Sequence, residues 1–198
     1  AASQGITVCN CPGYADDTVA EHTLALLLAV ARHVPQLDTD LRNGRWNQSL
    51  DGMELAGKQL GIIGFGGIGR RVSELARAFG MTVKVWTRNP SEARAHEHSV
   101  EFVCLNNLLQ TSDVISLHVA LTDDTKNLID AKKIQQMKPG SILINTARGE
   151  IIDEAALVDA LRKRHLKAAG LDVFHQDPLP ADHPLLALDN VALSPHVA

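Results

Sequence analysis

Leu60-Gly-Ile-Ile-Gly-Phe-Gly-Gly-Ile-Gly69 joins a short apolar run to Gly64, Gly66 and Gly69 in G-x-G-x-x-G spacing. Gly64 permits a tight turn out of a strand, Gly66 lets backbone approach a pyrophosphate, and Gly69 lets a helix pack closely on the sheet. Downstream, Ile68, Val72, Leu75, Ala76 and Phe79 recur at the 3.6-residue period of one helical face. A strand, a glycine turn and a helix in that order are the context that gives the glycine spacing meaning. Free N–H groups and the dipole at the start of such a helix favour phosphate. The stretch therefore predicts a dinucleotide-binding turn.

Working outward, short apolar runs alternate with amphipathic segments. Strands are expected at 60–64, 82–86, 100–103, 114–118, 141–145, 168–171 and 191–193, with helices at 67–79, 105–110, 130–137 and 153–164. Asp130 and Asp153 are placed as N-caps, and Gly80 and Pro139-Gly140 as stops. Strands alternating with helices specify an α/β fold: a doubly wound, Rossmann-type parallel sheet with helices on both faces. Before residue 58 the pattern differs. A short strand at 6–10 is expected to end at Pro12-Gly13, and Asp16 and Asp17 to cap a helix that is apolar almost all round (18–33). Residues 35–57 read as a further helix and a crossing loop. The expected division is 1–14, the remnant of an N-terminal domain; 15–57, an interdomain helix and arm; and 58–198, the dinucleotide-binding domain.

With 45% apolar and 21% charged residues, the chain has the balance of a soluble globular protein. A net charge of −4 offers no basic face to nucleic acid. Cys9, Cys11 and Cys104 are an odd set without zinc-ligand spacing, which suits a reducing, cytoplasmic compartment. The uncharged run 23–31 is too short to span a membrane, and no secretory signal is expected. His96 and His98 lack a third ligand, so no metal is expected, and His96, His98, His165, His175 and His183 read as solvated. His118, at a strand end, reads as packing first, with lining of the cofactor cleft as the alternative.

Two further regions carry chemistry. Where the second strand ends, an NAD site usually places an acid for the ribose hydroxyls; here stand Thr87 and Arg88. A hydroxyl and a guanidinium suit a 2′-phosphate, which favours NADP over NAD. Three later stretches, 145–149, 170–178 and 194–198, each follow a predicted strand. Ligands of open parallel sheets sit beyond those strand ends. An arginine, a carboxylate and a histidine there could hold an anionic substrate and move a proton.

The motifs LGIIGFGGIGR, INTARGEIIDEAALVDAL, AAGLDVF and NVALSPH, in this order over nearly the whole chain, resemble the cofactor domain of the D-isomer-specific 2-hydroxyacid dehydrogenases. That family includes glyoxylate and hydroxypyruvate reductases and D-lactate and phosphoglycerate dehydrogenases. The resemblance implies that Arg148 binds substrate carboxylate and carbonyl, that His196 is the acid/base, and that Asp172 contacts the nicotinamide carboxamide. It places Gly67, Ile68, Thr146 and Ala147 among the cofactor contacts. The family pairs its histidine with a glutamate; here that position is Asp177, one methylene shorter, expected still to pair with His196.

The resemblance also implies that most of a substrate domain lies outside this sequence, so that the piece binds cofactor and turns over poorly. It implies a homodimer formed through 18–33 and 35–57, and a small 2-oxo or 2-hydroxy acid as substrate. Two other readings stay open: a cofactor-sensing module of the same fold without turnover, and a relative acting on formate or phosphite, against which Asp177 speaks.

Overall fold

The computed structural model describes residues 2–9 and 11–198. Its strands are β1 (Gln59–Ile63), β2 (Thr82–Trp86), β3 (Glu101–Phe102), β4 (Val114–Leu117), β5 (Ser141–Asn145), β6 (Leu166–Leu171) and β7 (Val191–Leu193). All pair in parallel, in the order β3-β2-β1-β4-β5-β6-β7. The order reverses between β1 and β4, which opens a crevice at their carboxyl ends.

Because the sheet is covered on both faces, its central strands are buried throughout rather than on alternate residues; β4 and β5 are buried at every position, Ser116, Ser141 and Asn145 included. Alternate residues serve different layers. Ile62, Ile142 and Ile144 pack with Ala20, Leu24, Leu27, Val72 and Ala76, from α1 (Asp16–Ala31) and α3 (Gly67–Ala78). Ile63 and Leu143 pack the other way, with Leu108 and Leu109 of α5 (Leu105–Thr111), Ile134 of α6 (Ala131–Gln136) and Leu157 and Leu161 of α7 (Glu154–Arg162). Asp130 and Asp153 cap α6 and α7, accepting from Lys133 N at 2.8 Å and Ala156 N at 3.0 Å.

The structure corrects the sequence reading in four places. Residues 6–9 form no strand: Ile6 and Val8 are 57% and 76% exposed, with no neighbouring strand to pair with among the described residues. Asn10 lies outside the described residues. Asp16 and Asp17 are not caps; Ala15 holds the cap position, and both carboxylates stand in the first turn of α1, where they favour the helix dipole. Phe79 leaves α3 as its C-cap residue and is 43% exposed. A helix unforeseen in the sequence, α4 (Glu92–His98), fills the β2–β3 connection, capped by Ser91.

α1 packs against its own chain, over β5, β6, β7 and α3. The helix lies close enough that a Cβ at Gly170 would stand 2.9 Å from Leu26 Cβ. α2 (Val34–Arg42) follows, with no buried residue.

Candidate active site

The glycine turn is shaped by what its neighbours leave free. Gly64 has φ +101°, and a side chain there would overlap the His118 carbonyl. At Gly69 it would overlap the carbonyl of Gly64, so helix and turn touch only because both residues are bare. Gly66 is different: a Cβ added there meets nothing within 4 Å. That open face at the start of α3 suits a pyrophosphate seated on backbone N–H groups. Gly67 is bare for another reason, since the Asp16 carboxylate of α1 occupies the space of its Cβ.

From this turn a cleft of about 410 Å³ runs across the switch point, lined by Ile68, His118, Val119, Ala120, Leu121, Ala147 and Arg148. It thus joins the glycine turn to the arginine predicted on the β5 side. The loop carrying Arg148 is clipped by buried Asn145, whose Nδ2 donates to Arg148 O at 2.9 Å while its Oδ1 accepts from Ala147 N at 3.0 Å. Gly149 lies so close to the Phe174 backbone that a side chain would overlap it, which brings the loops after β5 and β6 together.

Asp177 and His196 follow β6 and β7. His196 Nδ1 lies 2.8 Å from Asp177 Oδ2, with both side chains a little under half exposed. His196 has φ +57°, in the left-handed region, and the two residues after it turn inward. Their N–H groups donate to Asp172, Val197 to Oδ1 at 3.1 Å and Ala198 to Oδ2 at 2.9 Å. Asp172 is fully buried, and Ser194 Oγ also donates to its Oδ1 at 2.6 Å. The carboxylate therefore anchors the segment that presents His196.

Two neighbouring residues of α1 reach these loops. His22 Nε2 is 2.8 Å from Ser194 Oγ and 3.5 Å from Asp172 Oδ1. Since the Ser194 hydrogen goes to the carboxylate, its oxygen accepts from His22, which assigns a proton to Nε2. Thr23 Oγ1 donates to Val19 O at 2.8 Å and so accepts from Thr146 Oγ1 at 2.9 Å. Thr146, like Asp172, is buried with its polar side-chain atoms engaged.

At the other end of the cleft, Thr87 and Arg88 line a recess of about 200 Å³ with Gly64, Val119, Ala120, Thr122 and Thr125. His118 stands at its strand end, with Nε2 2.8 Å from buried Ser116 Oγ. Burial pushes this imidazole down to about 4, so it is neutral near pH 7.

The sequence profile described as "D-isomer specific 2-hydroxyacid dehydrogenase, NAD binding domain" matches residues 24–198. The chain belongs to that family. It is 45% identical over 201 residues to a hydroxypyruvate reductase of Thermotoga maritima, covering 100% of this chain and 64% of the relative. It is 42% identical to a glyoxylate reductase of Korarchaeum cryptofilum, over 100% of this chain and 61% of that protein. The crystal structure of the TT0316 protein from Thermus thermophilus superposes with a TM-score of 0.91 at 44% identity, covering 99% of this chain and 62% of that one. The chain thus spans about three fifths of the length of these relatives. As an NAD-binding domain of the 2-hydroxyacid dehydrogenases, it binds NAD(H) or NADP(H).

Several residues of this dehydrogenase domain carry more than their sequence suggested. Histidines read as solvated are engaged: His165 Nε2 lies 2.9 Å from Ile134 O, His175 Nε2 2.8 Å from Ile152 O, and His183 Nε2 3.1 Å from Glu154 Oε1. His98 packs edge-on against Phe65. Glu154 also accepts from His175 N at 3.3 Å, so one carboxylate brackets the loop that carries Asp177. Arg94 ties the glycine turn to the end of β2, donating to Phe65 O at 2.7 Å and Asn89 O at 3.0 Å. Neither Glu154 nor Arg94 had a sequence signal. Thr23 had one, as a polar residue inside an almost wholly apolar helix. Among the described residues no three His, Cys, Asp or Glu side chains are grouped to hold a metal ion, and no helix is long and apolar enough to cross a membrane.

Proposed function

We propose that this chain is the cofactor domain of an oxidoreductase that moves a hydride between NADP(H) and C2 of a D-2-hydroxy or 2-oxo acid. The observation that carries this reading is the His196–Asp177 pair at 2.8 Å, beyond β6 and β7, which follow in the sheet on β5, whose loop carries Arg148 into the cleft. A module that merely sensed the dinucleotide would need the glycine turn and no such pair.

The nicotinamide cofactor supplies or accepts the hydride. Arg148 holds the substrate carboxylate and polarises the carbonyl through charge-assisted hydrogen bonds. Protonated at Nε2, His196 gives its proton to the carbonyl oxygen during reduction and takes it back from the hydroxyl during oxidation. Asp177 accepts from Nδ1, fixing the tautomer and orientation of the ring; the shorter carboxylate suffices because the loop brings it within reach. Thr87 and Arg88 take the 2′-phosphate of NADPH. Arm residues Trp46, Leu41 and Val34, 78%, 58% and 55% exposed, supply the apolar surface for a homodimer. The compartment is the cytoplasm, where the exposed thiols of Cys9, Cys11 and Cys104 stay reduced.

The test is a substrate panel of glyoxylate, hydroxypyruvate, pyruvate and 2-ketoisocaproate, with NADPH or NADH, on the full-length protein that carries this chain. At least one acid is expected to be reduced, with NADPH preferred and His196→Asn inactive. Reduction of none of them sinks the enzyme reading.

A further inference from the structure

We propose that Asp124 sets the choice between NADPH and NADH by competing with the cofactor for Arg88. The proposal rests on the reading of Thr87 and Arg88 as the 2′-phosphate site. It starts from where Arg88 lies: Nη2 donates to Thr122 Oγ1 at 3.0 Å, and Nη1 stands 3.4 Å from Asp124 Oδ2. The side chain leaves the end of β2 and is fastened to the turn after β4, the strand on the other side of β1. Between those points lies the recess bounded by Gly64, Thr87, Val119 and Ala120. Arg88 is thus a latch across its mouth.

The turn that receives the latch is built rigidly. Thr125, 2% exposed, donates through its hydroxyl to Ala120 O at 2.6 Å and accepts from Thr122 N at 2.7 Å. Thr122 and Asp124 are therefore held in place rather than displayed on a loose loop. Asp124 itself is 82% exposed and Arg88 46%, so the ion pair is weak and can open.

The two cofactors meet this latch differently. NADH carries a ribose hydroxyl and gains little from the guanidinium, which can remain on Asp124. The 2′-phosphate of NADPH is more highly charged than a carboxylate and draws Arg88 to itself. It must first replace the Asp124 pair, and it then sits near a carboxylate of its own sign. Asp124 therefore weakens NADPH binding selectively, and the sequence Thr87-Arg88 read alone overstates the preference for NADP.

Fluorescence titration of this chain with NADPH and with NADH tests the proposal. Asp124→Asn is expected to tighten NADPH about threefold to fivefold, the reach of an exposed pair, and to leave NADH within about twofold. The gain shrinks in high salt. Asp123→Asn removes the same charge one residue away and should do clearly less. Arg88→Ala should weaken NADPH about tenfold or more, as loss of a charge-assisted contact would, and the double variant should lose the Asp124→Asn gain. Unchanged NADPH binding in Asp124→Asn, or an equal gain in Asp123→Asn, overturns the latch while leaving the 2′-phosphate reading intact. Unchanged NADPH binding in Arg88→Ala overturns both.

Discussion

The two ends of the cofactor cleft are held together by opposite means. At the glycine turn, form comes from missing side chains: Gly64 and Gly69 are bare because backbone fills the space. At the ends of β5, β6 and β7, form comes from buried polar side chains. Asn145 clips one loop, Asp172 and Ser194 anchor another, and Thr23 and His22 of α1 hold both from beneath. The first end tolerates no added atom at Gly64 or Gly69, whereas the second tolerates no lost hydrogen bond. The contrast teaches that conservative substitutions should fail in different ways at the two ends.

The largest effect is expected from Gly69→Ala. Its methyl group meets a backbone carbonyl that cannot move aside, and the cost should be on the order of 3 kcal/mol, with cofactor binding lost. Gly66→Ala, with open space around it, should keep its urea midpoint and lose only dinucleotide affinity. Equal destabilisation of the two variants would falsify the distinction between a packed glycine and an open one.

At the polar end, Asp172→Asn keeps the shape yet cannot accept on both sides, so an amide group must face the N–H of Ala198 or the donors of Ser194 and Val197. A loss of about 2 kcal/mol is expected. Thr23→Val strands the Thr146 hydroxyl at a cost of about 1 kcal/mol, and Thr23→Ser should restore it. Urea unfolding measures both; a Thr23→Val protein as stable as the wild type would remove α1 from the support of the Arg148 loop.

A pH dependence is expected at His118, between the two ends. The folded protein holds this imidazole neutral to about pH 4, whereas the unfolded chain protonates it near 6.5. The unfolded state therefore binds more protons between those values, so this contribution is intact above pH 6.5 and is lost progressively as pH falls toward 4. His118→Gln should flatten that slope in urea midpoints taken across the window. An unaltered slope would mean that other groups produce it.

The same contrast explains what could be read in advance. Strand positions and sheet class were legible because short runs dominated by apolar residues alternate with amphipathic segments. The helix at 92–98 was not, since EARAHEH has no apolar face and is held by a Ser91 cap and by Arg94 packed against Phe65 and Phe102. The expected strand failed over 6–9 for the complementary reason: these residues have strand propensity and no neighbouring strand among the described residues. Among the histidines, spacing separated none of the engaged ones from the exposed His96, because their partners are backbone carbonyls, Glu154 and a phenyl ring distant in sequence.

By itself, then, the sequence determined the parallel α/β sheet, the glycine turn and the order of the polar strand ends, because backbone freedom and apolar periodicity are local properties. Only the tertiary structure decided that Asp177 reaches His196 despite its shorter side chain, that α1 supports two loops through His22 and Thr23, and that Arg88 is fastened to Asp124. Each of those depends on distances between groups far apart in the chain, which packing of the core sets and residue spacing does not.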